Sequence, residues 1–245
     1  MEYTPSWALH REVGKIICAI DDLSDDVLRS IDSLIDSAPI HDAGRYDADT
    51  FELQIREVIR YGHSGICYYL LHHMLDILID KLVSVIVDIY KDYGETLHGY
   101  CPQEEISHYL VMHMRKAVDS IKVSDKVIFY ALLNDRVALS DSALTNIVKE
   151  YINCLISLLK ASVEYVIVLL LRDKSFLRKL KTAIAPIRVW HPEYATLSPS
   201  LVLECVFKAV KLLNLKVVEE RLSSLNVTSC RKALKDINES LKHKS

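Results

Sequence analysis

The stretch Gly65–Tyr93, GICYYLLHHMLDILIDKLVSVIVDIYKDY, decides how the chain is read. Leu70, Leu71, Leu75, Leu78, Ile79, Leu82, Val83, Ile86, Val87 and Ile89 nearly surround a helix of 3.6-residue period. A helix that is apolar on most faces is either covered by other elements or lies in lipid. Asp76, Asp80, Lys81 and Asp88 leave no charge-free run of about 20 residues, so a membrane span is not expected. A core helix wrapped by other helices is.

The flanking sequence supports the same class. The 245 residues include only six Gly and six Pro, which leaves long segments without breakers. Apolar residues recur at three and four, predicting helices at about 6–20, 24–37, 50–60, 103–121, 124–137, 141–171, 173–184, 199–213, 215–224 and 228–243. The β-branched runs Val83–Val87 and Val163–Val168 lie inside segments too long for strands. The expectation is an all-α bundle of roughly ten helices with two long central ones, 65–93 and 141–171, and no sheet. Lys160 and Glu164 stand at i,i+4 in the second and are expected to form a wet stripe on it. One helical domain spans 1–245, with residues 95–102 as the place where an acidic and a basic half would divide.

Charge is distributed unevenly. Residues 1–100 carry 18 Asp and Glu against 8 Lys and Arg, whereas residues from Arg172 onward carry 7 against 15. Such a split implies that the two ends face each other or that one meets an anionic partner. The densest basic run is Arg172, Lys174, Arg178, Lys179, Lys181 and Arg188, followed by Trp190. On a helix Lys174, Arg178 and Lys181 share a face that could follow a phosphate backbone, and Trp190 could stack on a base. The plainer account is a solvated helix surface. Asp21, Asp22, Asp25 and Asp26 are the acidic residues that could pair with the run.

The six cysteines are scattered without a Cys-x-x-Cys pair, and the opening MEYTPSWALHRE lacks a basic segment followed by an apolar one. Reduced, buried cysteines and a cytoplasmic location are therefore expected. Two Gln, abundant Ile, Leu and Val and 13 Tyr give a thermophile-like composition, the setting in which intracellular disulfides do occur.

Three constellations carry chemistry. Arg56 precedes His63 with six residues between them. An imidazole can transfer protons near neutral pH and a guanidinium can steady a phosphate. The pair resembles the Arg-x4–6-His element of HEPN ribonucleases, which implies metal-independent RNA cleavage by a dimer using Arg56 and His63; Glu57 stands where that family has a polar residue. His72, His73, Asp76 and Asp80 form the second group, with Glu105-x-x-His108 on another helix. Di-iron bundles use two Glu-x-x-His elements plus further Glu, and only one is present here. A hydrogen-bonded His72–Asp76 pair beside the core is therefore expected, the alternative being a metal centre of His72, Asp76, Glu105 and His108. Third, Asp21-Asp22-x-x-Asp25 resembles the Mg2+-pyrophosphate motif of helical prenyl-transferring enzymes, but its paired acidic segment is missing and helix capping accounts for it.

No P-loop, nucleophile elbow or His-Glu-x-x-His motif is present. A core and a charge split without a reaction centre point to a non-enzymatic interaction protein, with a protein partner or a second copy, nucleic acid as a further partner, and no cofactor. The ribonuclease and a metal-dependent bundle enzyme are the alternatives.

Overall fold

A computed structural model describes residues 7–18, 20–37, 47–93, 100–123, 128–190 and 199–224. Among them are eleven α-helices and two 3-10 turns, with no strand. In chain order the helices are α1 (Trp7–Ile17), α2 (Asp25–Asp36), α3 (Ala48–Val58), α4 (Gly62–Tyr93), α5 (Gln103–Ser120), α6 (Ile128–Leu133), α7 (Ser142–Ala161), α8 (Val163–Arg172), α9 (Lys174–Trp190), α10 (Pro199–Val210) and α11 (Leu215–Ser224). The 3-10 turns Ile20–Asp22 and Ile59–Tyr61 follow α1 and α3. The expected all-α bundle is what the chain forms.

α4 is the axis. Its 32 residues make a rod of about 48 Å at 1.5 Å per residue. Every residue from Gly65 to Leu75 is buried, and α1, α2, α3, α5, α7, α9 and α10 all pack on it. Asp80, Ser84 and Asp88, one turn apart, remain exposed and form a narrow wet stripe. Asp76 continues that ridge by one more turn, yet there α1 reaches it. One cluster of buried apolar side chains runs from Leu9 to Ala209, so the acidic and basic halves of the sequence share a core.

The second long helix differs from its expectation. The 141–171 segment is two helices, α7 and α8, bent by 76° around Ser162. The Ser162 hydroxyl donates to the Leu158 carbonyl at 2.8 Å, and its N–H reaches the carbonyls of both Leu158 and Leu159. Serine bonding back into its own helix competes with the regular ladder and bends the chain. The bend also separates Lys160 from Glu164. Lys160 pairs with Asp119 at 2.6 Å and Glu164 with Arg115 at 2.7 Å, so the expected i,i+4 stripe does not form. Among the described residues no single helix is long and apolar enough to cross a membrane; α7 and α8 meet that test only together, across the bend.

Other boundaries moved as well. α3 starts at Ala48 rather than at about 50, because Asp47 caps it by accepting from the Thr50 N–H at 3.1 Å. The segment expected to stop before Pro186 continues through it to Trp190 as α9. The helix expected near 228–243 lies outside the described residues.

The cysteine expectation is overturned. Cys18 is disulfide-bonded to Cys67 and Cys101 to Cys205, each with Cα atoms 5.6 Å apart. Cys154 is disulfide-bonded too. The physical reason is long-range packing: partners 49 and 104 residues apart in sequence meet across helix contacts that local spacing does not reveal.

Candidate metal centre

Where α1 and α2 cross the first half of α4, polar side chains gather inside the core. His10 and Asp32 are fully buried, His72 nearly so, and Asp76 and Asp36 are the partly exposed members, at 11% and 26% of their side-chain surface. Each occupies the apolar face of its helix. His10 belongs with Val13 and Ile17 on α1, Asp32 with Leu28, Ile31 and Ile35 on α2, and His72 and Asp76 stand one turn apart on α4.

Gly14 sets how closely α1 can approach. A Cβ at this position would stand 2.9 Å from Cδ2 of Tyr68, inside contact distance, so only glycine lets the two helices meet here. The close approach lays the His10 ring against that of His72, with centroids 3.8 Å apart and planes within 16°.

Asp32 anchors the group. Arg11 donates to its Oδ2 through Nε at 3.2 Å and Nη2 at 3.0 Å, and the Tyr68 hydroxyl donates to Oδ1 at 2.7 Å. Nδ1 of His72 lies 3.1 Å from the same Oδ1. Burial pushes the Asp32 carboxyl above its ordinary value, against the pull of the Tyr68 and Arg11 hydrogen bonds. Nδ1 of His72 thus faces Asp32, and its Nε2 is turned the other way.

That nitrogen looks onto the remaining members. Nε2 of His72 is 3.8 Å from Asp76 Oδ2 and 4.0 Å from Asp36 Oδ1, while Nε2 of His10 is 3.3 Å from Asp76 Oδ1. The ligand atoms of His10, His72 and Asp76 all lie within 4.8 Å of one another. Trp7 holds Asp36 in place by donating Nε1–H to Oδ2 at 2.9 Å. Burial raises the Asp76 carboxyl, but the His10 hydrogen bond and the electrostatic pull of His72, His10 and His73 outweigh it and leave it below its ordinary value.

Two imidazoles and a carboxylate at these separations suit a divalent transition metal. Nitrogen and oxygen ligands about 2.0–2.2 Å from a tetrahedral ion stand roughly 3.4 Å from each other. The Asp32–His72 hydrogen bond is the outer-sphere contact that fixes tautomer and ring orientation in histidine metal sites. Asp32, Asp36 and Asp76 bring three carboxylates to the centre and Arg11 one guanidinium.

The candidates named from sequence separate. His72 and Asp76 belong to this group, whereas Glu105 and His108 are exposed on α5 and Asp80 pairs with Lys179. The expected His72–Asp76 hydrogen bond does not form, the two standing 3.8 Å apart: His72 turns to Asp32 and Asp76 to His10, in a larger assembly that also draws in Asp36. Arg56 and His63 go to different partners. Arg56 is held by Glu52 at 2.6 Å and by the Ser140 hydroxyl at 2.7 Å, and His63 Nδ1 lies 2.8 Å from the hydroxyl of Tyr151. Asp21 and Asp22 lie in the 3-10 turn and Asp25 in the first turn of α2, behind the N-cap Ser24, as a capping role requires.

On α9, Lys174, Arg178 and Lys181 are exposed, as is Arg172 at the end of α8, and none forms an ion pair among the described residues. Lys179 alone is tied to the acidic half, through Asp80. Asp21, Asp22, Asp25 and Asp26 are exposed too, with no basic partner among the described residues. Arg188 and Trp190 fall on α9, but their side chains lie outside the described set.

Comparison with family models, curated proteins and solved structures found no match to this chain.

Proposed function

We propose that this is a helical-bundle metalloprotein whose centre, between α1, α2 and α4, binds one divalent transition ion. His10 and His72 supply nitrogen ligands, Asp76 a carboxylate, and Asp36 a fourth oxygen from the partly exposed side. The observation that carries the reading is the arrangement around His72: its Nδ1 lies 3.1 Å from Asp32 Oδ1, and its Nε2 faces Asp76 and Asp36. Mixed imidazole and carboxylate donors suit Zn2+, Mn2+ or Fe2+ rather than Ca2+ or Mg2+, which prefer oxygen throughout. Because metal ligands must be deprotonated, affinity would fall at acid pH.

Elemental analysis tests this. Purified protein, freed of metal and re-equilibrated with Zn2+, should retain one ion per chain after desalting, and His72→Ala should retain none. Wild type that keeps no zinc, manganese or iron would end the reading.

A second reading concerns α9. The row Lys174, Arg178 and Lys181 is exposed and without ion-pair partners in the described fold, which supports an interaction protein that meets a polyanion there. Its affinity for RNA or DNA should fall steeply with salt, since each neutralised phosphate releases counterions. Absence of binding at low salt would remove it.

A further inference from the structure

Three contacts follow one another along the face that α1 shares with α4. His10 meets Asp76 and His72, Gly14 meets Tyr68, and Cys18 is bonded to Cys67. Residues 10, 14 and 18 are successive turns, while their partners descend along α4, so the helices run antiparallel with the disulfide closing one end of the contact. Cys18 directly follows α1, about 12 Å along the axis from His10. The bond therefore fixes the register in which His10 is presented to His72. Nothing else covalent holds α1 to α4 among the described residues. Among its other ties are the Arg11 and Trp7 hydrogen bonds to α2 and the packing of Leu9, Val13 and Ile17.

We propose that the Cys18–Cys67 disulfide is a redox lock on the metal centre, an inference that rests on the metal-binding reading above. In the oxidised chain α1 is held in register and His10 completes the ligand set. Reduction by a dithiol frees α1 to move away from α4, and affinity for the ion drops. The chemistry is thiol–disulfide exchange. One thiolate of the dithiol attacks a protein sulfur and expels the other; the second dithiol sulfur then displaces the first cysteine. Two electrons pass from the dithiol to the protein, the two thiol protons end on Cys18 and Cys67, and the dithiol leaves as its own disulfide. Both sulfurs are buried, so exchange requires α1 to lift locally. An ion that holds α1 down must therefore resist reduction by the same factor by which oxidation favours the ion. The Cys101–Cys205 bond joins the segment before α5 to α10, neither of which contributes to the centre, and serves as an internal control.

Zinc titration calorimetry on three oxidised proteins tests the lock. Cys18→Ala/Cys67→Ala should bind Zn2+ about tenfold or more weakly than wild type, a factor within the usual range of coupling between two sites. Cys101→Ala/Cys205→Ala should bind as wild type does. Equal affinity in all three overturns the lock and leaves the metal reading standing, whereas no zinc binding by wild type overturns both. If Cys18→Ala/Cys67→Ala does not fold, wild type is equilibrated in dithiol buffers with and without Mn2+, which thiols bind weakly. Mass spectrometry of alkylated cysteines should then show Mn2+ protecting Cys18 and Cys67 about tenfold against reduction, with Cys101 and Cys205 unaffected. No selective protection overturns the proposal.

Discussion

Two polar regions of this molecule sit in opposite environments. Around α1, α2 and the first half of α4, charged and imidazole groups are buried and each answers to several neighbours. On α9, Lys174, Arg178 and Lys181 stand in water, whereas the neighbouring Lys179 is tied back to the fold through Asp80. The contrast teaches where specificity resides. Removing a buried charge from water costs several kcal/mol, so a group such as Asp32 persists there only with its hydrogen bonds complete. Exposed cations cost the fold almost nothing and constrain it little. The buried group should therefore be rigid, dependent on each member and intolerant of change, and the α9 face tolerant in stability while sensitive in binding.

The sharpest way to break that contrast is Asp32→Ala. It leaves Arg11, the Tyr68 hydroxyl and His72 Nδ1 without their shared acceptor. Breaking one partner of a buried ionic pair costs about 3–5 kcal/mol, and urea unfolding should register a loss of that size. A loss below about 1 kcal/mol would mean that the group is not the anchored unit described. Gly14→Ala comes next. Its new methyl meets a Tyr68 ring held by Asp32, so overpacking should cost about 1–3 kcal/mol and weaken metal binding together with stability.

How much of this was legible in the sequence follows from the same physics. Helix class was readable because apolar period is local, and Gly65–Tyr93 carries it without interruption. The bend at Ser162 was not, since a serine inside an apolar helix reads as a tolerated guest until its hydroxyl is seen bonded to Leu158. His72 and Asp76 were found because they share one helix. His10 and Asp32 were missed, although each falls on the apolar stripe of its own helix, beside Val13 and Ile17 or Leu28 and Ile35. A titratable residue on a core face is the signal that was available. Spacing between Cys18 and Cys67 gives no such signal, because 49 residues of chain separate a pair that only helix packing brings together.

Two smaller effects sharpen the exposed side of the comparison. Glu52 joins α3 to the segment ahead of α7, accepting from the Ser140 hydroxyl, the Ser140 N–H and Arg56, and these hold its carboxyl down to about 2. A folded value below the unfolded one contributes stability that is complete above about pH 4.5 and is lost as pH falls towards about 2. Acid titration of stability should show that loss, and Glu52→Gln should remove this part of the pH dependence. The smallest change in stability belongs to α9. Lys174→Glu, Arg178→Glu and Lys181→Glu should each shift unfolding by less than about 0.5 kcal/mol. Combined, they should abolish any salt-sensitive binding of RNA or DNA. Unfolding of the triple variant would instead make the row structural.

The central claim is that His10, His72 and Asp76 hold one ion. Diffraction from crystals soaked in Zn2+, recorded at the zinc absorption edge, addresses it without recourse to variants. The account predicts a single anomalous peak within coordination distance of His10 Nε2, His72 Nε2 and an Asp76 oxygen, with Asp32 still bonded to His72 Nδ1. A peak confined to surface histidines such as His108, or none at all, would contradict it.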